Sequence, residues 1–270
     1  MLELGLGARE ALSVPGTGTV IGAYTKAAYV RVPGGLFALT TRDVASGPLH
    51  ARTDLPVARL GVGDRVVVTP RLLQAGPLLF DLRAATVWRG RLPQVGPPGH
   101  AGTAGRGVDV PGLARRLGGA GPGLTPAGDD ALAGVLLVAR LHGGQPAEEG
   151  LVGIAAAVPT NDISRAFLVW AARGQSTEPV HQFLLTGDPH HLGTVRAMGH
   201  TSGAALADGL MYALHAFARP VQQDVAGCGV PAEPRGGPAW PGRFSLSAPP
   251  LSARAGSPPP PQPTTTGWSG

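Results

Sequence analysis

Residues 121–130, with the sequence GPGLTPAGDD, constrain the fold more than any other part of this 270-residue chain. They place three glycines, two prolines, a threonine and two adjacent carboxylates directly before the apolar residues 131–141. Threonine is a good helix cap, and proline fits the first helical position because no N–H is needed there. We therefore predict a tight loop that opens a buried helix. A helix start that follows a glycine-rich loop is a ready anion site.

Two further segments repeat this arrangement of small polar residues before an apolar stretch. Residues 160–164 (TNDIS) precede the apolar residues 166–172, and residues 199–203 (GHTSG) precede residues 204–214. Capping accounts for one polar side chain at a helix start, and each segment holds more than one. We predict that the three helix starts converge on one electropositive pocket for small anions. Each helix dipole stabilises a bound anion by about 0.3–1 kcal/mol at an exposed site. The predicted substrate-binding residues are Gly121, Gly123, Thr125, Gly128, Thr160, Asn161, Ser164, Thr201, Ser202 and Gly203.

Four side chains in or beside these segments are candidates for the chemistry itself. His200 could donate a proton or stabilise an oxyanion in acyl transfer, or it could simply be hydrogen-bonded at a helix start. Arg165 could pair with a substrate carboxylate. Asp129 and Asp130 either hold a divalent cation that bridges to phosphate or stabilise the helix start electrostatically. We predict His200, Asp130 and Arg165 as catalytic residues. Mg²⁺ or Mn²⁺ on Asp129 and Asp130 is the one cofactor that this pattern admits.

The ordered motifs GPGLTPxGDD, TNxIS and GHTSG also carry a family resemblance. The sequence resembles the AllH subunit family of bacterial oxamate carbamoyltransferase, formerly catalogued as a domain of unknown function, over roughly residues 2–219. The resemblance is most specific over residues 121–203. It implies carbamoyl transfer between oxalurate and phosphate, giving oxamate and carbamoyl phosphate, in allantoin and purine nitrogen catabolism. It also implies that the enzyme needs other carbamoyltransferase subunits, so that a hetero-oligomer is expected.

Two alternatives to a catalytic chain are open at this point. The chain could be a non-catalytic partner-binding subunit whose polar segments form an interface, or a different small-anion enzyme on the same fold. A concave arrangement of Gly123, Thr125, Ser164 and Thr201 favours an active site, whereas a flat one favours an interface. ATP binding on a P-loop is excluded, because Asp129 stands where that motif requires lysine.

The net charge of +5 is unevenly distributed along the chain. Residues 1–116 carry 14 basic and 7 acidic side chains, whereas residues 117–219 carry 5 and 8. The arginines are scattered and lack interleaved aromatic residues, so small anions or an acidic partner subunit fit this pattern better than nucleic acid. Cys228 is the only cysteine, which excludes a disulfide framework. No signal peptide or membrane-spanning stretch is recognised, so we expect a cytoplasmic protein without a membrane partner.

The order of sequence patterns predicts an α+β fold. Short β-prone runs between glycine and proline turns over residues 1–91 predict a small β-barrel or sandwich. Residues 92–107 read as a proline- and glycine-rich connector, and residues 108–219 as a mainly helical domain that carries the glycine-rich, anion-binding loops. Residues 220–270 are proline-rich and lack a periodic apolar pattern, so we predict a disordered tail.

Overall fold

The computed structural model of the chain describes residues 1–93, 108–144 and 147–218. Most of the predicted connector and the whole predicted tail, with Cys228, lie outside the described residues. The described part confirms the α+β fold: a sheet curled into a half-barrel comes first and a helical region follows. The exact domain boundaries stay predictions.

Nine strands of the described residues form one sheet. They are β1 (Leu2–Gly5), β2 (Gly16–Ala23), β3 (Ala27–Val32), β4 (Gly35–Thr41), β5 (His50–Thr53), β6 (Arg65–Val68), β7 (Leu72–Ala75), β8 (Leu78–Asp81) and β9 (Thr86–Trp88). Their order in the sheet is β8-β7-β6-β2-β3-β4-β5-β1-β9. β3 pairs antiparallel with β2 and β4, and the turn before β4 contains Pro33 and Gly34, residue types that end one strand and allow a sharp return.

Buried and more exposed side chains alternate along the strands, so the sheet has two different faces. In β3 the side chains of Ala28, Val30 and Val32 are buried in the first hydrophobic core, together with the core residues of α1 (Leu6–Leu12). Successive side chains of a strand point to opposite faces. Tyr29 and Arg31 therefore point away from this core, and the helical region lies on their side of the strand.

The helical region is built around a close pair of long helices. Gly134 and Gly209 lie at their crossing, where the missing side chains let the two backbones approach; a Cβ on Gly209 would stand 2.0 Å from the carbonyl oxygen of Ala131. The helices are α2 (Val110–Leu117), α3 (Ala127–Gly143), α4 (Glu148–Ala156), α5 (Asp162–Ala172), α6 (Glu178–Thr186), α7 (Pro189–Arg196) and α8 (Ser202–Ala218), of which α3 and α8 form the central pair. A second hydrophobic core surrounds this pair and contains the fully buried Leu136.

A buried histidine links the end of the sheet to the helical region. The Ser176 N–H donates to Nε2 of His181 over 2.9 Å, so the imidazole carries its proton on Nδ1, which lies 2.9 Å from the carbonyl oxygen of Arg91. Beside it, the side chain of Gln175 accepts from the N–H of Gly90 and donates to the carbonyl oxygen of the same residue. The segment after β9 is thus held to α6 by a neutral histidine.

We expect His181 and His50 each to lower the stability of the folded protein in mild acid. Burial lowers the pKa of both imidazoles below the ordinary value of about 6.5. Below about pH 6.5 the unfolded chain therefore binds protons that the folded chain does not, and the contribution of each histidine to the free energy of unfolding falls as the pH decreases. Urea unfolding at several pH values measures this dependence.

A pair of histidine variants separates this effect from general acid sensitivity. His181→Gln should flatten the pH dependence, whereas His190→Gln, at an exposed position on α7, should leave it unchanged. An unaltered slope in His181→Gln would show that the acid sensitivity has another origin.

Candidate functional site

The three polar segments contact one another in the structure. The hydroxyl groups of Thr125 and Ser202 lie 2.8 Å apart, which joins the first segment to the third. The side-chain amide of Asn161 donates to the carbonyl oxygen of Leu124 over 2.9 Å, which joins the first segment to the second. Ser164, which is 2 % exposed, places its hydroxyl 3.4 Å from the same carbonyl oxygen. The first segment therefore lies between the other two.

The Asp129 side chain connects the first and second polar segments through hydrogen bonds. Its side chain is 2 % exposed. One carboxylate oxygen accepts the N–H of Gly119 over 2.7 Å, and the other accepts the hydroxyl of Thr160. Gly119 precedes the first segment and Thr160 begins the second, so this carboxylate links the two. This arrangement matches a structural role for Asp129 and accounts for its burial.

Asp130 has a different environment from its neighbour. It lies beside the hydroxyl groups of Thr125 and Ser202, and its Oδ2 atom is buried without a hydrogen-bond partner among the described residues. The pKa of Asp130 is raised to about 7: burial and, to a smaller extent, the nearby charge of Asp129 raise it, while the Ser202 and Thr125 hydroxyls oppose the rise. Close to neutral pH this carboxyl can therefore both accept and donate a proton.

The N–H groups at the helix starts are largely bound by the chain itself. The Asn161 side chain accepts from the N–H groups of Ile163 and Ser164, each over 3.0 Å, and so caps α5. The Gly128 N–H donates to the carbonyl oxygen of Ala120, and the Gly203 N–H to that of Met198, each over 2.9 Å. The predicted anion site at the first helical turns thus has fewer available donors than the sequence pattern implies.

The loop before α3 offers the donors that the helix starts lack. The described residues supply no hydrogen-bond acceptor to the N–H groups of Gly121, Gly123, Leu124 and Thr125. Gly123 has a φ of 101°, a conformation that favours glycine, and no atom lies within 4 Å of where its Cβ would be. A run of such N–H groups in a turn can form a concave anion site.

Two glycines that the sequence predicts as substrate-binding face protein atoms instead. A Cβ on Gly128 would stand 2.1 Å from the carbonyl oxygen of Leu117, and a Cβ on Gly203 would stand 2.0 Å from that of Val195. Both positions require glycine because neighbouring backbone approaches them. The reason lies in packing between successive elements, which the sequence pattern does not distinguish from ligand approach.

Two of the predicted catalytic side chains lie outside this hydrogen-bonded cluster. His200 is exposed, as is the neighbouring Thr201, and no hydrogen bond to another described residue orients its imidazole. Arg165 donates to Asp162 over 3.0 Å and to the carbonyl oxygens of Val158 and Thr160. These bonds brace the turn before α5, so much of the donor capacity of Arg165 is already in use.

Two residues of strand β3, Tyr29 and Arg31, interact with the motif segments, and neither is among the site residues predicted from the sequence. Tyr29 lies close enough to Asp130 to feel its charge; burial raises the pKa of Tyr29 to about 12, with smaller contributions from Tyr24 and Asp130. The rings of Tyr24 and Tyr29 meet edge to face with their centroids 6.1 Å apart. Arg31 forms an ion pair with Asp162 at the start of α5. Strand alternation could have placed Tyr29 and Arg31 on one face, but not opposite these loops.

A cavity of about 300 Å³ adjoins the start of α5. It lies between α1, the turn before β4 and one face of α5, and Asp162, Arg165 and Trp170 line its wall. A second ion pair, Arg173 to Glu10 over 3.1 Å, crosses between the sheet region and α5 at this cavity.

The described residues contain no group of three or more histidine, cysteine, aspartate or glutamate side chains suited to a metal ion. Asp129 and Asp130 are adjacent in sequence, but both oxygens of Asp129 already accept hydrogen bonds. The predicted Mg²⁺ or Mn²⁺ ion on this pair stays a prediction.

The helical region is similar to a known protein family. Residues 117–214 match the family model of the oxamate carbamoyltransferase subunit AllH. The match begins at the last residue of α2 and ends within α8, so it contains all three polar segments and confirms the resemblance. The sheet, with Tyr29 and Arg31, lies outside the matched residues. No solved structure matches the chain.

That family is described as a subunit of oxamate carbamoyltransferase. Within the part of the chain that the structure describes, no helix has the length and apolar character needed to cross a membrane.

Proposed function

We propose that this chain is a subunit of an oxamate carbamoyltransferase and that it contributes reacting groups to the active site. The proposed reaction converts oxalurate and phosphate into oxamate and carbamoyl phosphate. The observation that carries the proposal is the environment of Asp130. This buried carboxyl has one oxygen without a partner among the described residues, and it lies beside the hydroxyl groups of Thr125 in the first motif and Ser202 in the third. All three residues lie inside the family match.

The reaction needs one proton moved between the two substrates. A phosphate oxygen attacks the carbamoyl carbon of oxalurate, and the bond from that carbon to the oxamate nitrogen breaks. The proton that phosphate loses ends on this nitrogen. A carboxyl whose pKa is about 7 suits this transfer, because it accepts and returns a proton at little cost near neutral pH. Thr125 and Ser202 orient the carboxyl of Asp130.

The reaction also brings two anions together, and the loop before α3 can offset their charge. Its free N–H groups, from Gly121 to Thr125, supply fixed dipoles for phosphate and for the developing oxyanion. Such donors need no reorganisation during the reaction. The tight, glycine-rich turn thus has a role in binding, while Asp129 holds it against the next segment.

The complex is proposed to contain other carbamoyltransferase subunits and to act in the cytoplasm, in allantoin and purine nitrogen catabolism. The extensive hydrogen bonds among the three segments are also compatible with the non-catalytic alternative, in which the chemistry lies in a partner subunit and this cluster only supports an interface. The catalytic and non-catalytic hypotheses predict different enzyme activities when the hydroxyl groups beside Asp130 are removed.

The deciding experiment measures phosphorolysis of oxalurate by the chain alone and together with the subunits that co-purify with it. In the catalytic reading, Thr125→Val and Ser202→Ala each lower kcat/KM by about 10–100-fold with the folded state retained. Thr194→Val, which removes an exposed hydroxyl on α7, is the matched control and should keep full activity. Full activity of the assembled complex with both motif variants would place the chemistry in another subunit.

A further inference from the structure

We infer that Arg31, on strand β3 and outside the family match, binds the carboxylate of oxalurate and oxamate and so sets the specificity of the site for a monoamide of oxalic acid. This inference rests on the proposed function. It assigns to the sheet a part of the active site that the three motifs of the helical region do not supply.

The position of Arg31 follows from strand alternation and from two contacts. Val30 and Val32 point into the core of the sheet, so Tyr29 and Arg31 share the opposite face. Arg31 pairs with Asp162, and the neighbouring Asn161 donates to the carbonyl oxygen of Leu124 over 2.9 Å. These two contacts connect Arg31 to the second motif and, through it, to the first. Arg31 therefore borders the same cluster as the proposed proton-transfer group.

Arg31 has unused capacity to bind an anion. A guanidinium group has five N–H donors, and Arg31 makes one hydrogen bond within the described residues, to Asp162. The Arg31 side chain is 53 % exposed. By contrast, Arg165 donates hydrogen bonds to Asp162 and to two backbone carbonyl oxygens. Two arginines share the single carboxylate of Asp162, so their cluster keeps a positive charge for an incoming anion.

The geometry of the hydrogen-bond donors indicates which group binds which substrate. The planar fork of a guanidinium group matches a carboxylate with two parallel hydrogen bonds. Phosphate is tetrahedral, and the N–H groups of Gly121, Gly123, Leu124 and Thr125, which have no acceptor among the described residues, are available to it. We therefore assign the carboxylate of oxalurate to Arg31 and phosphate to the loop. The hydrogen bond to Asp162 uses one donor of the guanidinium, and the Arg31 side chain stays 53 % exposed.

The test compares KM values for the four reactants in the assembled enzyme. Arg31→Gln should raise KM for oxalurate, and for oxamate in the reverse direction, about tenfold or more, while KM for phosphate and carbamoyl phosphate changes less than about twofold. Arg31→Lys keeps the charge but not the fork, so it should recover only part of the affinity.

Arg173→Gln is the matched control, since it removes another ion pair between the sheet region and α5. It should leave all four KM values unchanged. A rise in KM for phosphate in Arg31→Gln would assign Arg31 to phosphate instead and overturn the inference. Unchanged KM values in both variants would show that the ion pair to Asp162 is purely structural. Absence of turnover by the wild-type complex would reject the proposed function itself, which is a separate outcome.

Discussion

Replacement of Asp130 by asparagine should abolish carbamoyl transfer and at the same time stabilise the folded protein at pH 8. The two effects have one cause. The carboxyl is buried beside a second carboxylate, so its charged form is unfavourable in the folded state, and its pKa is raised to about 7 from an ordinary value of about 3.9. Asparagine has nearly the same shape and carries no charge, but it cannot exchange a proton with the substrates.

The pH dependence follows from the direction of this shift. Between about pH 3.9 and 7 the folded state binds a proton that the unfolded state has lost, so the contribution of Asp130 to stability falls as pH rises through this window. Above about pH 7 the cost of the buried charge is fully present. We expect Asp130→Asn to gain about 1–3 kcal/mol in the free energy of unfolding at pH 8 and much less at pH 5.

Asp129→Asn is the matched control for this prediction. The Asp129 carboxylate accepts from two donors, whereas an asparagine amide offers one acceptor. Its oxygen can accept the Gly119 N–H, and its NH2 group can only donate to the Thr160 hydroxyl, so two hydrogen bonds to a charged carboxylate become weaker neutral ones. The free energy of unfolding of this variant should be lower than that of the wild type by about 1–3 kcal/mol at both pH 8 and pH 5. Urea unfolding and oxalurate phosphorolysis measure the two effects. Equal stability changes in both variants would contradict the distinction between the two carboxylates.

Introduction of a single methyl group at Gly209 should have the largest effect on folding. A Cβ at this position would stand 2.0 Å from the carbonyl oxygen of Ala131 on α3, far inside van der Waals contact. Both helices belong to the fully buried centre of the helical region, so neither can move without opening a cavity. We expect Gly209→Ala to destabilise the protein by about 3 kcal/mol or more, even though alanine favours helices.

The same displacement should also affect the site. α8 begins at Ser202, whose hydroxyl lies 2.8 Å from that of Thr125, so a shift of α8 separates the first and third motifs. Gly193→Ala on α7 is the control: nothing lies within 4 Å of its Cβ position, and the substitution should stabilise the helix by about 0.5–1 kcal/mol. Thermal unfolding followed by circular dichroism compares the two. A melting temperature for Gly209→Ala close to that of the wild type would show that the helix pair tolerates separation.

Much of the fold and part of the site follow from local sequence patterns. Asn161 caps α5 as its residue type predicts, and the apolar stretches after the three polar segments are helices α3, α5 and α8. The turn at Gly34 separates two strands, and the β-prone residues before it form β3. These features depend on backbone preferences and on neighbouring residues, so they can be inferred from a single sequence.

The roles of individual site residues depended on contacts between distant segments. Asp129 and Asp130 are adjacent and chemically identical, yet one accepts two hydrogen bonds and the other keeps a buried, unpartnered oxygen. The helix rotates successive side chains by about 100°, and only the packing around α3 determines what each one meets. The same holds for Arg165, which turned out to brace its own loop.

By itself, the sequence determined the α+β order of elements, the polar loops that open three helices and the family resemblance of those loops. Capping, turn formation and apolar periodicity operate over a few residues, so these features can be inferred without coordinates. The tertiary structure alone decided which carboxylate has a raised pKa and that Tyr29 and Arg31 of the sheet border the motifs. Burial and charge proximity arise where segments more than 100 residues apart meet, as Arg31 and Asp162 do, and local patterns do not encode those distances.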